Sequence, residues 1–143
     1  MVGTLAALAL AFATACGPDE PRLLPLTSPI AQDHEGARVT ISARIRDVRP
    51  ALMRSLPSIE FAPLRESGSA PEGFLDFELV GLRGEPGSVR VEFAATDGSL
   101  PALREPRPMT IRVRIGHFGD AERERSLARR MAREALTLGD DGS

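Results

Sequence analysis

Apolar and polar residues alternate most cleanly in "RVTISARIRD", where Val39, Ile41, Ala43 and Ile45 take one side and Thr40, Ser42, Arg44 and Arg46 the other. A period of two, with β-branched residues on the apolar side, predicts a half-buried strand over 38–47. The alternation returns in "FLDFELVGL", with Leu75, Phe77 and Leu79 against Asp76 and Glu78. It returns again in "SVRVEFAA", with Val89, Val91 and Phe93 against Arg90 and Glu92. The short "RGEPG" between these two runs predicts an antiparallel hairpin. A further strand, "MTIRVRIG", places Met109, Ile111, Val113 and Ile115 inward and Thr110, Arg112 and Arg114 outward.

The intervening stretches carry weaker patterns. Residues 50–56 predict one short helical turn, and 58–62 a short edge strand bounded by Pro57 and Pro63. Residues 65–73 ("RESGSAPEG") and 96–108 read as loops rich in turn-forming residues. After "HFGD" the period lengthens to that of a helix. Asp120 is placed to cap it, and Glu122 and Glu124 put negative charge in its first turn, where the helix dipole favours it. Leu127, Ala128, Met131, Ala135 and Leu138 form one apolar stripe over 121–138, with Arg129, Arg130 and Arg133 opposite. Gly139 is expected to end the helix, leaving 139–143 as a disordered tail.

These elements predict an α+β domain over 38–138: an antiparallel sheet of four to five strands with a C-terminal amphipathic helix packed on one face. A β-sandwich with the helix closing one edge is the alternative.

The N-terminus follows different rules. Residues 2–15 hold no charge and are small or apolar. Fourteen such residues are too few for a spanning helix, which needs about 20, and suit the apolar core of a secretory signal. Ala13, Thr14 and Ala15 then lead to Cys16, the one cysteine of 143 residues. Phe12 to Gly17 resembles the lipobox of bacterial lipoproteins, in which the cysteine after two small residues receives diacylglycerol. The resemblance implies a signal peptide over 1–15, acylation of Cys16 and an address in the cell envelope. With Gly17 rather than Asp behind the cysteine, it implies the outer membrane where a cell has two; plain secretion is the alternative. Pro18, Pro21, Pro25 and Pro29 make 16–37 a Pro-rich tether, semi-rigid and extended. An arm packed on the domain through Leu23, Leu24, Leu26 and Ile30 is the other reading of that segment.

Charge and composition narrow the function. All 18 basic residues are Arg and the net charge is −2, so nucleic acid is not an expected partner. There is no nucleophile elbow, P-loop or dinucleotide fingerprint, and no enzyme, cofactor or metal is expected. "QDHEG" gathers Asp33, His34 and Glu35, but within the tether, where nothing fixes a ligand geometry. The alternative function is a secreted or tethered hydrolase using His117 with Asp120, with Ser126 as the candidate nucleophile. The leading expectation is a membrane-anchored binding or accessory protein. Its candidate anion-binding face comprises Arg44, Arg46, Arg90, Arg112 and Arg114, all outward in the strand reading, for envelope proteins or anionic envelope polymers.

Overall fold

The computed structural model describes residues 23–142. Six strands form one sheet: β1 (Ala31–Asp33), β2 (Gly36–Ala43), β3 (Phe61–Ser69), β4 (Phe74–Gly81), β5 (Pro86–Phe93) and β6 (Arg107–Ile115). Their order is β1-β2-β6-β5-β4-β3, and every neighbouring pair is antiparallel. The fold is α+β, with one sheet of six strands rather than four to five. A single sheet replaces the sandwich alternative, because helices cover its apolar face where a second sheet would lie.

Those helices are α1 (Ile45–Ser55), continued by a 3-10 turn over Leu56–Ile59, and α3 (Ala121–Asp141). The short α2 (Leu100–Arg104) sits in the β5–β6 connection, a stretch that reads as loop in the sequence. Helix α3 crosses β2 and β6 and packs along α1. Its stripe of Leu127, Ala128, Met131, Ala132 and Ala135 is essentially solvent-free. Small alanines on that stripe let the helix approach Val39, Ile41, Ile111 and Val113 closely. Each large aliphatic side chain buried in this layer contributes about 1.5–3 kcal/mol.

The chain departs from β-structure at Arg44, not after Asp47. Alternation holds from Ala37 to Ala43, then Ile45, Val48, Ala51, Leu52 and Leu56 take helical spacing and are buried. So α1 has eleven residues where the sequence suggested a single turn, and Pro50 lies inside it on the exposed side. Strand β3 likewise runs through residues expected to be loop. It is an edge strand with both faces of its middle exposed, paired to β4 through a register shift between Pro63 and Arg65.

Both ends of the domain extend further than expected. Strands β1 and β2 begin inside the segment read as tether. Leu26 and Ile30 pack on the core, and the Leu24 N–H donates to Thr137 Oγ1 (2.9 Å), so the packed arm is the observed arrangement over 23–30. At the other end α3 passes Gly139 and continues to Asp141, in place of a disordered tail. The Arg44 guanidinium donates to the carbonyls of Leu138 (2.7 Å) and Gly139 (2.9 Å), two of the four that a helix end leaves without partners. Cys16 and the signal segment lie outside the described residues.

Candidate functional site

The face of the sheet opposite the helices is polar, and its side chains are exposed or half-exposed. Register fixes which of them are neighbours. Arg38 stands opposite Arg112, Arg112 opposite Arg90, and Arg90 opposite Asp76, making one row across β2, β6, β5 and β4. The adjacent row holds Thr40, Thr110, Glu92 and Phe74, and on the other side Arg114, Ser88 and Glu78 line up. Alternation thus placed Arg90, Arg112 and Arg114 correctly on one surface.

Arg44 and Arg46 are not on it. Because β2 ends at Ala43, Arg44 becomes the residue that opens α1 and Arg46 belongs to that helix. Arg44 is buried, its Nε donating to Asp47 Oδ2 (2.7 Å) while the rest of the guanidinium caps α3. Arg46 lies 3.7 Å from the other oxygen of Asp47. Both arginines serve the α1–α3 junction. Arg38, which the sequence reading missed, takes their place on the face; it shares strand parity with Thr40 and Ser42, and that parity would have identified it.

The arginines of the face are unequally neutralised. Arg90 donates to Asp76 Oδ2 (2.7 Å) and Glu92 Oε1 (2.9 Å), and its guanidinium lies 4.3 Å from the centre of the Phe74 ring. Arg112 donates to Glu35, which reaches over from the β1–β2 turn, and Arg114 donates to the carbonyl of His34 in the same turn. Arg65, at the β3 edge, has Glu78 at 3.9 Å. The Arg38 guanidinium has no hydrogen-bond or ion-pair partner among the described residues. Thr40 and Thr110 bring their hydroxyls to 3.3 Å of each other.

A second feature is a cavity of about 730 Å³ at the end of the sheet where α3 begins, lined by Glu60, Leu82, Arg83, Glu85, Arg123 and Ser126 among others. Arg123 is one of the residues that line it. It stacks 4.9 Å from the centre of the Phe61 ring, donates to the Ile59 carbonyl (2.9 Å) and faces Glu85 Oε1 (3.5 Å). Ser126 lines this cavity, whereas His117 is exposed on the β6–α3 loop and is not part of the wall. Asp120 uses its carboxylate to accept the Arg123 N–H (3.1 Å), the capping role expected of it. The three residues of the hydrolase alternative are therefore not brought together.

Among the described residues no group of three or more His, Cys, Asp or Glu side chains is placed to hold a metal ion, and Asp33, His34 and Glu35 form a hairpin turn. No helix among them is long and apolar enough to cross a membrane. The chain matches no known protein family and no curated protein sequence.

Proposed function

We propose that this chain is a small lipid-anchored protein of a bacterial cell envelope, held in the membrane by acyl chains on Cys16, with a binding or accessory role and no catalytic one. The observation that carries the reading is the lone cysteine, Cys16, set behind Ala13-Thr14-Ala15 at the end of an uncharged apolar run. In an oxidising compartment a free solitary thiol is reactive, and acylation converts it to an inert thioether. The binding role draws on the open face of the sheet, where charged side chains cluster and no element among the described residues covers them. Where the cell has two membranes, the outer one is the proposed location.

Intact mass of the membrane-extracted protein tests this directly. The expected N-terminal fragment begins at Cys16 and carries the mass of diacylglycerol and a fatty acyl group. Cys16→Ser should lose both that mass and membrane retention. A fragment retaining Met1, or one beginning at Cys16 with a free thiol, would overturn the anchor.

A further inference from the structure

The row Arg38–Arg112–Arg90 sets three guanidinium groups on adjacent strands, about 4.7–4.9 Å apart at the backbone. Like charges directly opposite in a sheet are destabilising, so each needs an anion. On the β4 side the requirement is met: Asp76 and Glu92 enclose Arg90. On the β2 side it is not. Among the described residues Arg112 has only Glu35, whose side chain is 57% exposed, and the Arg38 guanidinium has no partner. One row further along lies the Thr40–Thr110 pair. Only one hydroxyl hydrogen is used between the two oxygens, so the other is free to donate.

We propose that Arg38, Arg112, Thr40 and Thr110 form a discrete oxyanion site on the open face, taking the phosphate group of a soluble or polymer-borne ligand, with Glu35 occupying it in the ligand's absence. Two guanidinium forks beside a hydroxyl donor offer more hydrogens than a carboxylate can accept, and phosphate, with its larger set of oxygens, matches them better. A flat anionic membrane does not fit the same surface, because Asp76, Glu78 and Glu92 lie on that face and would be pressed against it. Glu35 is held near Arg112 by its turn. Gly36 has φ of 115°, and a Cβ there would fall 2.0 Å from the Val113 carbonyl oxygen, so only glycine lets the turn lie this close to β6. The Glu35 carboxylate is then a built-in competitor that a phosphate must displace.

The proposal takes from the preceding reading only its binding role, and the two fail separately: mass spectrometry reports on the anchor, phosphate titration on the site. Inorganic phosphate titrated into the full-length chain and followed by NMR should give saturable shifts confined to Arg38, Thr40, Thr110, Arg112 and the Glu35 turn. Losing one charged donor in Arg38→Ala should weaken binding by about tenfold or more. Glu35→Gln removes the competitor and should tighten it. Arg65→Ala, on the same face but paired with Glu78, should leave it unchanged. Shifts spread over unrelated arginines, an Arg38→Ala that binds as well as the parent, or a Glu35→Gln that gains nothing would each overturn the site. Binding to vesicles containing phosphatidylglycerol without binding to phosphate would make the face a membrane surface and overturn it too.

Discussion

Two buried charges show how single side chains hold the domain's ends. Arg44 bridges the Asp47 carboxylate and the last carbonyls of α3, so truncation takes a charged donor from a buried acid and from two helix-end carbonyls at once. Breaking a buried pair from one side costs about 3–5 kcal/mol. Arg44→Ala should lower the urea midpoint by a matching amount and speed amide exchange in the last turn of α3 before it affects β5. Glu124, only 1% exposed, does the corresponding work at the other end of α3. Its Oε1 accepts the N–H groups of Ile115 (3.0 Å) and Asp120 (3.2 Å), and its Oε2 accepts from Gln32 Nε2 (2.8 Å). In Glu124→Ala two backbone donors lose their acceptor, at about 1–3 kcal/mol each. Glu124→Gln keeps one oxygen for them but turns an NH₂ toward the Gln32 amide. A denaturation series should therefore rank the parent above Gln and Gln above Ala; equal stability of the two variants would remove the backbone bonds as the reason Glu124 is buried.

At the scale of elements, what alternation could reveal depended on how each element is buried. Strands β4, β5 and β6 and helix α3 each have one apolar face against the core, and their inward residues were legible one by one, from Phe77 and Leu79 to Met131 and Ala135. Edge strands β1 and β3 have no such asymmetry. Residues 62–67 are exposed whichever way they point, and β3 is held by backbone bonds to β4, which leave no trace in side-chain pattern. Helix α1 was hidden for two reasons: Ile45 extends the alternation of β2 by one step, and the expected helical turn was started only at Pro50, five residues after the helix begins. Pro50 removes a helix hydrogen bond and crowds the carbonyl of Arg46, a cost of order 3 kcal/mol relative to alanine in a helix interior. It faces solvent, so nothing in the packing depends on its ring. Pro50→Ala should raise both helical circular dichroism and the melting temperature, and a loss of stability instead would mean that the proline sets the angle between β2 and α1. The candidate site divides along the same line. Parity along β5 and β6 identified Arg90, Arg112 and Arg114. The pairing of Arg112 with Glu35, 77 positions away, and the recruitment of Arg44 to cap α3 are tertiary facts.

For the molecule as a whole, the two ends of α3 define opposite poles. The described chain enters at one of them, where Leu24 bonds Thr137 and shares a cleft with Arg44, Arg104 and Asp140. The 730 Å³ cavity, with Leu82 at its rim, lies at the other, beside Arg123 and Ser126. Fourteen helical residues separate Thr137 from Arg123, about 21 Å at 1.5 Å per residue. From Cys16 to Leu23 the covalent chain can reach at most about 25 Å. That reach exceeds the distance between the poles, so what favours one orientation is the point of attachment: with Cys16 acylated as proposed, the anchor joins at the entry pole, the cavity and the exposed Phe118 lie at the far end, and the arginine row, running across the middle of the sheet, lies between them. Leu100 and Leu82 report on the two poles, since both are exposed, at 66% and 81%. With Cys16 blocked by its lipid, a fluorophore on Leu100→Cys should be quenched strongly by a headgroup-bound quencher, and one on Leu82→Cys only weakly. Equal quenching at both positions would mean that the tether lets the domain tumble freely, and that no face is directed away from the membrane. The reverse order would place the cavity against the lipid and overturn the orientation set by attachment at the entry pole.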